Sequence, residues 1–187
     1  MNEQKDMQLL FRALKFASIK HTKQRRKGSS DIPYINHPIE VATILSTVGS
    51  VQDASTLAAA ILHDTVEDTD TTPEEIENEF GSDIRKIVME CTDDKTLGKQ
   101  DRKRAQIETA PHKSGQAKLV KMADKISNVS AMASLPPSDW SLDRRGEYLD
   151  WTEKVVHGLR GHCNALDELY DESLNKARER LKADRGQ

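Results

Sequence analysis

Apolar residues recur at three- and four-residue spacing along nearly the whole chain, and no segment shows the strict alternation of a half-buried strand. This pattern predicts an all-α fold. Met7, Leu10, Phe11, Leu14 and Ala17 form the first stripe, before a polar, basic loop from His21 to Asp31 that ends at Pro33. Val41, Ile44, Leu45 and Val48 form the second, with Pro38 in its first turn and Gly49 closing it. Asp53 is placed to cap a helix carrying Leu57, Ile61 and Leu62, and Asp70-Thr71 breaks it. Thr72-Pro73-Glu74-Glu75 reads as a capping box, opening a short helix that ends at Gly81. Ile84, Ile87, Val88 and Cys91 continue helically, and Thr92 to Gly98 is a polar connector. A charged helix follows over Lys99–Thr109, then an amphipathic one over 115–134, ended by Pro136-Pro137. Leu149, Thr152, Val156 and Leu159 lie along another helix, and Leu166, Leu169, Tyr170, Leu174 and Ala177 along the last. The chain is expected to fray after Leu181.

With 187 residues, the chain has the length of one domain, and 1–187 is read as a single unit. It carries 28 basic and 31 acidic residues, a net charge of −3. A protein that coats nucleic acid is expected to be basic, so that partner class is disfavoured. The longest unbroken apolar run, Leu57 to Leu62, falls far short of the ~20 residues of a membrane span. Met1 to Gln8 is polar and charged, unlike a signal peptide. Cys91 and Cys163 stand alone, which argues against a disulfide scaffold and a cysteine zinc site. The expectation is a soluble cytoplasmic protein with no membrane partner.

The run Leu57 to Leu62 is apolar nearly all round, so its helix should be buried. It ends in His63-Asp64, which is costly in a core unless the pair is satisfied. Glu67 and Asp68 follow by four residues. If the helix runs one more turn, His63 shares a face with Glu67, and Asp64 with Asp68. Asp124 is a second signal, because Asp is a poor residue for a helix interior. Its helical neighbours Ala117, Val120 and Ala131 suggest that its face is covered as well. His37 sits at a helix start, where the charged imidazolium is disfavoured and the metal-binding neutral ring favoured. His37, His63, Asp64 and Asp124 thus make a two-His, two-Asp set suited to Mn²⁺, Fe²⁺ or Zn²⁺. A metal there would lower the pKa of a bound water and polarise a phosphoryl oxygen. Glu67 and Asp68 lie where a carboxylate could orient that water or carry a proton.

Positive charge gathers at His21, Lys23, Arg25, Arg26 and Lys27, and again at Lys95, Lys99, Arg102, Lys103 and Arg104. Arg144 and Arg145 flank Tyr148 within one turn. By composition the first cluster also suits a nuclear-localisation patch. Beside a candidate metal set in a net-acidic chain, a phosphate-binding rim is the more economical reading.

Several stretches together resemble the RelA/SpoT-type HD-domain phosphohydrolases, in their stand-alone small alarmone hydrolase form. They are Arg25-Arg-Lys27, Pro33-Tyr-Ile-Asn-His-Pro-Ile39, Ala60-Ile-Leu-His-Asp-Thr-Val-Glu-Asp-Thr-Asp-Thr-Thr72, Thr92-Asp-Asp-Lys-Thr96, and Ala117-Lys-Leu-Val-Lys-Met-Ala-Asp-Lys125 with Asn128. The resemblance covers nearly the whole chain. It implies one HD-domain bundle of roughly eight to ten helices, one Mn²⁺, and hydrolysis of the 3′-pyrophosphate of ppGpp or pppGpp to GDP or GTP. By position it implies His37, His63, Asp64 and Asp124 as metal ligands and Glu67 and Asp68 as the catalytic acidic pair. It implies Arg26 packed on the guanine, Lys27, Lys99 and Tyr148 on the substrate side, and Asn128 in contact with the nucleotide. Two rival readings are a phosphatase for another phosphorylated nucleotide such as NADPH, and a nucleotide sensor without turnover. A homo-oligomer is compatible with the sequence.

Overall fold

Four helix starts are set by side chains that cap free backbone N–H groups, two of them, at Asp53 and Thr72, as the sequence pattern anticipates. Asp53 Oδ2 accepts from Thr56 N at 3.0 Å, and Thr72 Oγ1 from Glu75 N at 3.2 Å. Ser114 and Ser141 do the same for Ala117 N and Arg144 N, each at 3.2 Å. The computed structural model describes residues 3–26 and 31–186. The helices are α1 (Glu3–Lys20), α2 (Asn36–Thr47), α3 (Ala54–Leu62), α4 (Thr65–Asp68), α5 (Pro73–Phe80) and α6 (Ser82–Cys91). They continue with α7 (Lys99–Thr109), a 3₁₀ turn (Ala110–His112), α8 (Gly115–Ser134), α9 (Leu142–His157) and α10 (Asn164–Arg185). Among the described residues the one β feature is an isolated bridge between Arg25 and Pro33. The all-α expectation is met.

Two helices form the centre. Every residue of α3 from Thr56 to Leu62 is buried, and α3 packs against α1, α2, α6 and α8. In α8 the unbroken run Val120–Ser127 is buried, enclosed by α2, α3, α6, α9 and α10. That run includes Lys121, Asp124 and Lys125, so one core helix carries charges on its buried surface.

The structure corrects the sequence reading in four places. In α1 the fully buried residues are Ala13 and Ala17, whereas Met7 and Phe11 are 58% and 64% exposed. α1 lies against the alanine-rich α3, and small side chains let the two backbones approach closely. Next, α3 stops at Leu62 rather than near Asp70. His63 Nδ1 binds Ala60 O at 2.8 Å and Thr65 Oγ1 donates to Leu62 O at 2.6 Å, taking up carbonyls at the helix end. α4 then restarts as one turn. Third, Leu159 lies beyond the end of α9, although it is buried. Last, the chain after Leu181 stays helical to Arg185. There Asp184 accepts from the buried Arg145 at 2.8 Å and from Arg180 at 2.8 Å, and Arg185 donates to Asp143 at 3.1 Å.

The turn after α9 depends on Gly158. A Cβ there would stand 2.8 Å from Pro111 Cδ and 2.9 Å from both Ala110 Cβ and Pro111 N. Backbone and ring atoms cannot yield easily. Gly158→Ala should therefore destabilise the fold by ~1–3 kcal/mol, the usual cost of overpacking. Gly186→Ala, whose nearest neighbours are at ordinary contact distance, should not. Chemical denaturation of both variants checks the pair, and equal midpoints would refute the close-approach argument.

Candidate active site

Four side chains from three helical segments converge where α3 ends. His37 comes from the first turn of α2, His63 and Asp64 from the break between α3 and α4, and Asp124 from the middle of α8. His37 Nε2 is 3.2 Å from Asp124 Oδ1, and His63 Nε2 is 3.1 Å from Asp64 Oδ2. The cross pairs are longer, 3.7 Å from His37 to Asp64 and 3.9 Å from His63 to Asp124. His37, His63 and Asp124 each offer a donor atom within 4.8 Å of the others, a spacing that can hold a metal ion. Asp64 stands beside this triad, and its Oδ2 also accepts from the Tyr34 hydroxyl.

The far side of each ring fixes its tautomer. His63 Nδ1 donates to Ala60 O, which leaves a lone pair on the fully buried Nε2, an atom without a hydrogen-bond partner. Ser127 Oγ donates to Glu40 Oε2 at 2.8 Å and so accepts from His37 Nδ1 at 3.0 Å. Both Nε2 lone pairs then face carboxylate oxygens, an arrangement that needs a cation or a proton between the groups. The donor set therefore fits a divalent metal. Burial lowers the pKa of His37, whereas at His63 the attraction of Asp64 and Asp124 outweighs burial and raises it. Burial alone would raise Asp64, but His63 and His37 hold its carboxyl below the usual range.

Asp124 has a second set of partners that the sequence reading passed over. Lys125 Nζ lies 3.1 Å and Lys121 Nζ 3.7 Å from Asp124 Oδ2, and all three side chains are buried. Against burial, Lys125, Lys121 and His37 keep Asp124 well below the ordinary carboxylate pKa. Lys121 also donates to Cys91 O at 3.2 Å, at the end of α6. The sequence signal was present in part: Lys121 precedes Asp124 by three positions, so the two share a helix face.

The acidic pair divides. Glu67 accepts from Asp93 N at 3.0 Å through Oε2, and burial raises its pKa. Asp68 has both oxygens engaged, Oδ1 with Lys95 at 2.7 Å and Oδ2 with Gln24 Nε2 at 3.2 Å. Because α3 breaks at Leu62, these acids project from a separate turn rather than continuing the His63 face.

A cleft of about 860 Å³ opens from this centre. It is lined by Arg25, Arg26, Lys99, Arg102, Lys103 and Arg144, with Tyr148 between Trp140 and Trp151 at centroid distances of 5.3 and 5.5 Å. The tryptophans were not singled out from sequence. Arg26 donates to Asn128 Oδ1 at 3.0 Å, so these two, with Lys99 and Tyr148, do meet on one cleft. Lys27 lies outside the described residues. Five basic residues of the expected rim do not line the cleft: His21 is buried, Lys23 is exposed elsewhere, Lys95 is paired with Asp68, Arg145 with Asp184, and Arg104 with Asp101 and Glu108. Helical phase decides the split of Arg144 from Arg145, since adjacent helix positions face different ways.

Asp124→Ala would strand two buried ammonium groups, and breaking a buried pair costs about 3–5 kcal/mol. It should weaken divalent-cation binding in calorimetry and also lower the melting temperature without added metal. An unchanged metal-free melting temperature would contradict the ion-pair analysis.

A family model for the HD domain matches residues 13–147. A Xenopus tropicalis protein named guanosine-3′,5′-bis(diphosphate) 3′-pyrophosphohydrolase MESH1 is 53% identical over 166 residues, covering 89% of this chain and 93% of its own. The human protein of that name is 52% identical over 159 residues, covering 85% of this chain and 89% of its own. A solved structure described as a metazoan ortholog of SpoT that hydrolyses ppGpp superposes with a TM-score of 0.87 at 45% identity. It covers 90% of this chain and 94% of the other. This chain belongs to the HD-domain family, in the group that contains the MESH1 proteins.

Proposed function

We propose that this protein hydrolyses the 3′-pyrophosphate of ppGpp or pppGpp, releasing GDP or GTP and pyrophosphate, with Mn²⁺ as its one metal ion. The observation that carries this reading is a cleft in which acids, a histidine, cations and aromatic rings meet. It is lined by His37, Asp64 and Asp124 of the two-His, two-Asp set, by Glu67 and Asp68, and by cations and aromatic rings. Such a cleft suits a phosphorylated nucleotide, and the related vertebrate proteins are named for this activity. His37, His63, Asp64 and Asp124 would hold the ion, which supplies an acidified water and charge neutralisation at phosphorus.

The chain's own groups do the rest. Glu67, with one oxygen tied to Asp93 N, is the group suited to take the proton as the water oxygen bonds to phosphorus. The bond from that phosphorus to the ribose 3′-oxygen breaks, and the 3′-oxygen takes a proton to become the hydroxyl. Asp68 shares the acidic role and sets the local field. Arg26 offers a planar cation to stack on guanine, braced by Asn128 and set over the Tyr34 ring at 5.8 Å. Lys27, Lys99 and Tyr148 are assigned to the substrate side, with the phosphates drawn by Arg102, Lys103 and Arg144. We also read residues 1–187 as one domain, cytoplasmic, with a small-molecule partner rather than nucleic acid. A homo-oligomer is compatible with this reading. No helix among the described residues is long and apolar enough to cross a membrane.

The test incubates purified protein with Mn²⁺ and either ppGpp or NADPH, following pyrophosphate, orthophosphate and nucleotide products. Equimolar GDP and pyrophosphate from ppGpp are expected. Orthophosphate from NADPH with ppGpp untouched would replace this reading with a phosphatase, and ppGpp binding without products would make the protein a sensor. In the same assay, Glu67→Gln combined with Asp68→Asn should keep Mn²⁺ and ppGpp binding while turnover falls at least ~10²-fold, the low end for lost acid–base catalysis. Loss of the metal would recast the pair as ligands.

A further inference from the structure

His21 is buried at the end of α1 and belongs to no part of the reaction above. Its Nε2 has no hydrogen-bond partner, and its Nδ1 meets Gln24 Oε1 at 2.7 Å. The other end of the Gln24 amide, Nε2, donates to Asp68 Oδ2 at 3.2 Å. These contacts orient one another. A carboxylate only accepts, so Gln24 must turn its NH₂ toward Asp68. Its carbonyl oxygen then faces His21, and His21 must carry its proton on Nδ1.

The clamp is anchored away from α4. His21 N bonds to Ala17 O at 2.9 Å, and Gln24 N to His21 O at 2.9 Å. Tyr34 N bonds to Gln24 O at 3.0 Å, and the His21 ring packs on the Tyr34 ring at 4.9 Å. The turn is therefore fixed by backbone and by ring packing before its side chains reach the cleft. Asp68, by contrast, ends a helix of four residues, too short to hold a side chain rigidly by itself. Its other oxygen is tied only to Lys95, a residue half exposed in the connector after α6.

We propose that Gln24 is a positioning residue that fixes the Asp68 carboxylate in the cleft, with its own amide locked by His21. The proposal rests on the reading of Asp68 as a catalytic acid. The same turn carries Arg26 to Asn128, so one fixed segment sets both the acid and the proposed base-stacking cation. His21 thus has a purpose although it is neither ligand nor rim: a flat, buried ring that offers one directed N–H.

Gln24→Met keeps the length of the side chain and removes both hydrogen bonds. On the metal-loaded protein it should lower kcat for ppGpp by about 10- to 100-fold, the usual effect of losing a group that orients a site residue. KM and Mn²⁺ content should stay within about twofold, because the side-chain hydrogen bonds of Gln24, a cleft-lining residue, go to His21 and Asp68 and to none of the proposed ligands. His21→Phe retains the ring and removes the N–H, so it should lower kcat in the same direction by less. The deciding measurement is a double-mutant cycle with Asp68→Asn. If Gln24 acts through Asp68, adding Gln24→Met to Asp68→Asn costs nothing further. Additive losses, or a Gln24→Met enzyme with full kcat beside a slow Asp68→Asn enzyme, would overturn the positioning role and leave Asp68 catalytic. Full turnover by Asp68→Asn alone would overturn the reading of Asp68, and the proposal with it.

Discussion

The carboxylate of Asp124 is the point on which the site depends. One oxygen faces two lysines and the other faces two histidines, and little of this cluster sees solvent. A buried carboxylate needs compensating charge, and so does each buried ammonium. Asp124 supplies the charge that lets Lys121 and Lys125 stay inside, beside the Cys91 carbonyl and the Trp151 ring. In return they fix which oxygen points at His37 and His63. The arrangement costs helix α8 some stability against an apolar equivalent. What it provides is an oxygen donor held at a defined place before any ion arrives.

Around that donor the chain has sorted its charges by packing. The acids Asp64, Glu67 and Asp68 come from the turn where α3 breaks, and most cations of the cleft come from α7, α9 and the turn after α1. Aromatic rings support two of the cations: Lys103 lies over Trp151 at 5.1 Å, and Arg144 over Trp140 at 4.2 Å. Such contacts hold cations in place without neutralising them, unlike a carboxylate partner. The wall thus remains attractive to phosphate.

The break after Leu62 is equally consequential. Had α3 continued, His63 and Glu67 would share one stripe, and both acids would crowd the histidines. Instead, side-chain bonds to Ala60 O and Leu62 O end the helix. Asp64 turns toward His63 while Glu67 reaches across to Asp93 N. The histidine–aspartate cluster and the two following acids are separated by backbone geometry over a few residues.

Much of this was legible in the sequence, because helical periodicity and capping are local. The helical periodicity, the buried character of Leu57–Leu62 and the candidacy of His37, His63, Asp64 and Asp124 follow from spacing and residue type, with family resemblance naming the roles. Other features were not legible. Lys121 and Lys125 have no assigned role in the sequence, and only the packing of α6 and α9 over α8 shows them enclosed. Met7 and Phe11 fit a buried stripe, yet α1 turns its alanines to α3. Arg144 and Arg145 look alike, and only the position of Asp184, far along the chain, separates a cleft cation from a structural one. His21 and Gln24 looked like loop residues, since their meaning lies in Asp68 and Tyr34. Where helices form, and which groups are able to bind a cation, depend on neighbours within a turn or two and can be read locally along the chain. Which charges are buried, and with whom they pair, emerges on folding, because burial and pairing are properties of distant surfaces brought together.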